Sequence, residues 1–237
     1  MSGRLSDSER AAAGLAAGGL VIGGARVPVP GVELVTWLDD PKRAPRVTDG
    51  HSRAHPPTAI VLHTTRGTLG GLREGSRAST QAENLALYQS RTTRDVSWHL
   101  TIDTDGTVLQ QADLRDWVCW QAGHVNDFSI GIELVQHSDS YDLWTAQLVA
   151  LVAVVEAACA ALSIPRRVPV LVDGAPRLTA VVPWRSAPAG GKSVRWPGVI
   201  GHVHVASPTG PGARGPGDPG PHPFRALLAA GFEGVAV

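Results

Sequence analysis

His63 and His202 each close a short apolar run, and Asp218 stands in Gly217-Asp218-Pro219-Gly220-Pro221, where the following proline restricts the backbone. Two imidazoles and one carboxylate form a zinc ligand set of the catalytic kind, because they leave a fourth position open for water. Zinc lowers the pKa of such a water from about 15.7 towards 7, and a neighbouring carboxylate can then take its proton. Glu133 is the candidate for that base. It lies in Ser129-Ile130-Gly131-Ile132-Glu133-Leu134-Val135, whose alternation puts Ile130, Ile132 and Leu134 on one strand face and Gly131, Glu133 and Val135 on the other. Competing readings stand beside these. A histidine at a strand end commonly serves structure, a carboxylate commonly pairs with a basic neighbour, and His204 or His222 could replace one of the ligands.

Such a site needs rigid elements to hold it. Ala59-Ile60-Val61-Leu62 reads as a buried central strand ending on His63, followed by a polar, Gly-rich loop through Gly71. The stretch 79–90 (STQAENLALYQS) opens on Ser/Thr, places Glu83 three residues after Thr80 and then repeats apolar residues at helical spacing, which predicts a capped helix. Next, 98–102 and 107–109 flank Asp103-Thr104-Asp105-Gly106, a hairpin signature because Asp-Gly tolerates the positive φ of a tight turn. The run 143–164 has the length of a membrane span, but it contains Gln147 and Glu156, takes much of its apolar content from alanine and has no cluster of Lys or Arg flanking its start. It is expected to be a helix buried against a sheet, with no stable membrane insertion. Strand-like runs follow at 168–172 and 178–182, then a basic, Trp-containing loop at 184–196, and a last strand, 198–201, that delivers His202. Interleaved strands and helices predict an α/β fold with a mixed central β-sheet. The expected organisation is an N-terminal extension over 1–55, packing on or leading into a single domain over 56–237.

At 237 residues the chain suits one domain with a substantial core, and its 21 basic and 21 acidic side chains cancel. That balance, with a pI near 7.1, excludes the broad positive field of a nucleic-acid-binding protein. Cys119 and Cys159 are too few and too far apart for a structural metal grip or a disulfide framework, and they read as buried thiols. Near the N-terminus, Asp7 and Glu9 precede a thin Ala/Gly-rich stretch at 11–25, which does not read as a secretory signal. Location stays open among the cytoplasm, release after phage-type lysis and a secretion route without a signal.

Several linked motifs resemble a known family. Ile60-Val61-Leu62-His63-Thr64-Thr65 is similar to the first ligand strand of the zinc N-acetylmuramoyl-L-alanine amidases, the family shared by peptidoglycan-recognition proteins, phage amidase lysozymes and bacterial muropeptide amidases. The stretch from Ser97-Trp98-His99 through Asp105-Gly106-Thr107 resembles its hairpin, and Trp120-Gln121-Ala122-Gly123 with Asn126-Asp127-Phe128-Ser129-Ile130-Gly131-Ile132-Glu133-Leu134 its most recognisable block. Gly201-His202 and Asp218-Pro219-Gly220-Pro221 resemble the second and third ligand positions, in the variant with aspartate where other members have cysteine. The resemblance spans 58–224. It implies zinc on His63, His202 and Asp218, Glu133 as base, and hydrolysis of the amide between the lactyl group of N-acetylmuramic acid and L-alanine in peptidoglycan or a muropeptide. Other members use a tyrosine just before the hairpin histidine; Trp98 stands there, which leaves Glu133 as the base and His99 as a structural residue or one that supports a ligand from behind.

The departures are specific. Gln121 stands where the family has a histidine after the tryptophan, so that histidine's contact is lost or replaced, with His124 nearby but shifted. From His202 to Asp218 is 218 − 202 = 16 positions, longer than the family leads one to expect, and Pro216 occupies the place of a basic residue. Arg214 is the candidate to reach in and stabilise the oxyanion, against the reading of a solvated arginine. For substrate contact, Trp120 offers an apolar platform, Asn126 a polar anchor and Thr64 a third contact beside the first ligand. Arg185, Lys192 and Arg195, interleaved with Trp184 and Trp196, read either as a surface for an acidic stem peptide or as a solvated loop. Two rival functions remain. One is a peptidoglycan-binding module that does not cut, although such members usually lack a complete ligand set. The other is an amidase carried as cargo or effector by a phage-like or secretion assembly, attached through residues 1–55.

Overall fold

Ala59, Ile60, Val61 and Leu62 are all 0% exposed, and a strand buried on both faces must lie inside a sheet with layers on either side. The computed structural model, which describes residues 18–39, 50–65, 79–136, 143–182, 195–205 and 218–237, places it there. In chain order the strands are β1 (Gly19–Ile22), β2 (Ala25–Pro28), β3 (Leu34–Thr36), β4 (Gly50–Ser52), β5 (Ala59–Thr64), β6 (Leu100–Ile102), β7 (Val108–Gln110), β8 (Trp117–Cys119), β9 (Ser129–Leu134), β10 (Arg167–Val170), β11 (Gly198–Gly201) and β12 (Glu233–Ala236). The helices are α1 (Ser79–Arg91), α2 (Thr145–Leu162), the single turn α3 (His202–Val205) and α4 (His222–Ala229). Six strands form the central sheet in the order β11-β5-β9-β6-β7-β3. β5 runs parallel to both β9 and β11, β6 is parallel to β9, and β6 and β7 form the antiparallel hairpin expected from Asp105-Gly106. Gly106 supplies the positive φ, +86°, that the turn demands.

The alternation in β5 and β9 divides the core. Ile60, Leu62, Ile130, Ile132 and Leu134 join one cluster with Leu151, Val154 and Val155 of α2 and Phe224 and Leu227 of α4. Ala59, Val61 and Ile200 face the opposite layer, with Val125, Phe128, Val182 and Val205. Further along that layer, Ala82 and Ala86 of α1 pack on Leu109 and Trp37. Helix α2 therefore explains the long apolar run: Gln147, Ala150, Leu151, Val154, Val155, Ala158 and Cys159, at helical spacing, are its buried face. Gln147 satisfies its amide on the carbonyls of Ile102 and Val135. Length and composition alone would pass α2 as a membrane span, yet that face is committed to the sheet.

Several expectations change in detail. The start of α1 is held from a distance, because Oδ2 of Asp103, in the hairpin turn, accepts the Ala82 N–H at 2.9 Å; an anionic acceptor at a helix N-terminus also suits the helix dipole. The run 178–182 is not a strand. Its Val181 and Val182 N–H groups both go to the carbonyl of His204, so no ladder forms. β10 pairs in parallel with β12 in a separate two-stranded sheet rather than extending the central one. From the segment expected as an extension, β3 pairs with β7 as an edge of the central sheet, and Leu20, Ile22, Val29 and Leu34 are buried in the main core.

Two polar residues pin the sheet from below the site. His99 is fully buried; its Nδ1 accepts the Gly131 N–H at 3.0 Å, and Nε2 donates to the Trp117 carbonyl at 3.0 Å. Burial, aided by the charge of Arg53, pushes its pKa down to about 3. Arg53 donates to the carbonyls of Trp117, Asp127 and Ser129 at 2.7, 2.7 and 2.8 Å, tying β8 to the start of β9. The structural role expected for His99 is what these contacts describe.

Two outcomes follow from this packing. Leu20→Ala should lower unfolding free energy by about 2–5 kcal/mol, the usual cost of emptying a buried leucine site; a denaturant titration giving a change near zero would mean that β1 is not part of the cooperative core. A histidine whose proton affinity falls on folding stabilises the native state above its ordinary pKa of 6.5 and loses that contribution as pH falls towards 3. Denaturation midpoints should therefore drop below pH 6.5, and the drop should be shallower in His99→Gln, which cannot take up the proton.

Candidate functional site

In-register parallel pairing places Glu133 directly beside His63, one strand spacing of about 4.8 Å away and on the same face. β11 lies on the other side of β5, with Gly201 opposite Leu62, so His202 emerges next to His63 as the strand ends. Asp218 enters from the segment before α4. The site thus sits at the carboxyl ends of three parallel strands, where side chains from separate strands converge without a covering ladder. Gly201 permits the approach, since a Cβ there would stand 2.5 Å from Cδ of Pro219.

His63, His202 and Asp218 are 5%, 5% and 3% exposed. Nδ1 of His63 lies 3.1 Å from Nδ1 of His202, which lies 3.1 Å from Oδ2 of Asp218. One potential ligand atom from each falls within 4.8 Å of the others. A tetrahedral zinc site with bonds of about 2.0–2.1 Å separates its ligand atoms by about 3.3 Å, so the donor types and spacing fit that ion. Oδ1 of Asp218 accepts the Thr64 N–H at 3.1 Å. Burial opposes ionisation of Asp218, but the His202 hydrogen bond, the proximity of His63 and His202 and the Thr64 N–H outweigh it and hold its pKa down to about 2. It is an anion ready for a cation.

The other ring nitrogen of His63, Nε2, meets Oε1 of Gln121 at 2.5 Å. The Gln121 amide nitrogen donates to Ser129 Oγ at 2.7 Å, and that hydroxyl donates to the Val125 carbonyl at 2.7 Å. Gln121 crosses the sheet face over Gly131, where a Cβ would come within 2.8 Å of its Cγ. The glycine beside Glu133 in the strand pattern is therefore room for Gln121. A cleft of about 340 Å³ opens over this group, lined by His63, Thr64, Gln121, Glu133, His202 and Asp218 and walled by Tyr88, Arg94 and Trp98.

The structure thus brings together His63, His202, Asp218, Glu133 and Thr64. Trp120 is 44% exposed, with its ring 6.0 Å from that of His51, and it lies outside the cleft lining. Asn126 is buried, and its Oδ1 receives the N–H groups of Gln121 and Ala122 at 3.1 and 2.7 Å, so that oxygen is spent on the loop that carries Gln121. His204 accepts the Gly201 N–H and contacts the Arg177 carbonyl through its two nitrogens, and burial pushes its pKa down to about 4; it is not one of the clustered ligands. His222 opens α4 and is also outside the cluster. Arg214, Arg185 and Lys192 lie outside the described residues, whereas Arg195 sits over the ring of Phe128 at 5.3 Å. Gln121 and Arg94 were not singled out for the site by sequence reasoning. Gln121 had a signal, the glutamine at a motif position expected to hold histidine; Arg94 had only its place just before the hairpin.

The N-acetylmuramoyl-L-alanine amidase family matches residues 53–221 of this sequence. No curated protein sequence matches it. Among solved structures, a selenomethionine derivative of AmpD is 21% identical with a TM-score of 0.45, over 84% of this chain and 96% of that one. The endolysin amidase LysCS from Clostridium intestinale URNW is 16% identical with a TM-score of 0.47, over 86% and 97%. The ectodomain complex of peptidoglycan recognition proteins LCa and LCx, solved with tracheal cytotoxin, gives 15% identity and a TM-score of 0.50, over 85% and 98%. At such identities the last of these speaks for a shared α/β fold.

Proposed function

The chain belongs to the N-acetylmuramoyl-L-alanine amidase family, and on that premise we propose that it hydrolyses the amide between the lactyl group of N-acetylmuramic acid and L-alanine in peptidoglycan or its fragments. The observation that carries this reading is a buried His-His-Asp group whose ligand atoms lie within 4.8 Å of one another, with Glu133 in the same cleft, one strand away. His63, His202 and Asp218 are the residues that would hold zinc. When bound, zinc supplies a Lewis acid for the scissile carbonyl and an acidified water, of pKa about 7.

Glu133 takes the proton of the attacking water and returns it to the leaving amine, so one carboxylate serves both half-steps. Strand pairing holds its Cα against those of His63 and Thr101, which fixes its backbone before substrate arrives. Asp218 carries the negative charge that offsets a dication, and its backbone anchor at Thr64 keeps the carboxylate from rotating away. Trp98 cannot act as a proton donor in the cleft, because its Nε1 donates to Thr101 Oγ1 at 2.8 Å; its ring is a wall. Arg94 offers a cation on that wall for a carboxylate of the stem peptide, and Thr64 lines the floor. Trp120 is read as an outlying apolar platform. Oxyanion stabilisation by Arg214 rests on its sequence position alone, and such a donor is typically worth about 3–4 kcal/mol.

The test joins metal content to release of free stem peptide from peptidoglycan. Wild type should carry one zinc per chain and release peptide. Glu133→Gln should keep the zinc and lose about 10²–10⁴-fold in turnover, the usual worth of a general base, while His202→Ala should lose both. Undiminished turnover in Glu133→Gln would reject the base assignment. Zinc without peptide release would favour a module that binds without cutting.

A further inference from the structure

We propose that Gln121 is the positioning residue that fixes which nitrogen of His63 faces the metal, a role resting on the zinc reading given above. The direction of each hydrogen bond is forced from one end. The Val125 carbonyl can only accept, so the Ser129 hydroxyl spends its hydrogen there, at 2.7 Å. Ser129 Oγ is then an acceptor, and the group of Gln121 that faces it, at 2.7 Å, is the amide nitrogen. Oε1 of Gln121 is thereby turned towards His63 Nε2, at 2.5 Å. A carbonyl oxygen accepts, so Nε2 carries the ring proton and Nδ1 presents its lone pair. Nδ1 is the atom that stands 3.1 Å from Nδ1 of His202.

A neutral imidazole can carry its proton on either nitrogen, and only one of the two forms can ligate through Nδ1. The partner of a ligating histidine commonly sets tautomer and ring orientation in this way. The relay is built into the fold rather than added to it. Asn126 holds the backbone of Gln121 and Ala122, Gly131 leaves the space that the side chain crosses, and Val125 belongs to the same turn as Asn126. Gln121 lines the cleft, but its amide oxygen faces His63 and its amide nitrogen Ser129; its work is done through His63. The motif resemblance places a histidine at this position, and this chain meets the need with a neutral acceptor of different reach.

The experiment compares wild type with Gln121→Met, which keeps the length but removes the acceptor, and Gln121→Glu, which keeps an acceptor for His63 and can take the Ser129 hydroxyl hydrogen in place of the Val125 carbonyl. Ring-nitrogen NMR on the metal-free proteins reads the His63 tautomer, chelator competition reads zinc affinity, and melting of the metal-free proteins reads the fold. In wild type His63 should carry its proton on Nε2. Gln121→Met should mix the two tautomers and weaken zinc about 10–100-fold, with metal-free melting close to wild type, whereas Gln121→Glu should hold the Nε2–H form and stay within about threefold in affinity. The proposal is overturned if wild-type His63 carries its proton on Nδ1, if Gln121→Met leaves tautomer and affinity unchanged, or if both variants lose affinity in step with lost stability. A wild-type protein that binds no zinc would sink the metal reading and this role together. Zinc binding and peptide release by wild type, with an unaltered Gln121→Met, would sink this role alone.

Discussion

The parallel pairing of Ala59–Thr64 with Ser129–Leu134 is the constraint from which the site follows, because strand register has a period of two and a slip of one residue would turn Glu133 to the other face. In the observed register His63 and Glu133 share a face while Ile60, Leu62, Ile130, Ile132 and Leu134 fill the core against α2. Register is therefore enforced by apolar burial. The force that folds the sheet is the same one that sets His63 and Glu133 side by side.

A group of this kind leaves several polar atoms behind it buried, and each of those must find a partner inside the protein. The loop 120–128 supplies many of them. Its backbone is held by Asn126 Oδ1 and by Arg53, whose guanidinium donates to carbonyls of Trp117, Asp127 and Ser129. Burial lowers the Arg53 pKa only to about 10, so it stays a cation at neutral pH. Through these bonds the segment near residue 53 reaches Gln121, the side chain hydrogen-bonded to His63. Gln121 and the clustered ligands are thus parts of one hydrogen-bonded body, and such bodies hold geometry more firmly than isolated pairs.

Two glycines show how closely backbone and side chains approach here. Gly131 lies under Gln121, and Gly201 lies against Pro219, the residue after Asp218. Gly201 comes immediately before His202, and Gly131 two residues before Glu133. In both places the missing Cβ is what allows a second segment to pack onto the strand that carries the chemistry.

The mixed α/β class, the central strands, the hairpin, the buried helix and the residue types of the candidate site are legible along the chain. These are local signals: period-two and 3.6-residue patterns, an Asp-Gly turn, and residue types suited to one metal. The sequence did not reveal that β3 would close the sheet, that β10 would pair with β12, that Asp103 would cap α1, or that 178–182 would forgo strand pairing, since each depends on a partner far along the chain. The same holds inside the site. His63, His202, Asp218 and Glu133 can be named from pattern and resemblance, but that Asn126 Oδ1 holds the loop carrying Gln121, and that the Gln121 amide stands between His63 and Ser129, are visible only in the folded chain. Composition and spacing specify which groups are available; only the tertiary structure decides which atom of each group meets which, because hydrogen-bond direction is set by the whole chain of donors and acceptors and not by any one residue.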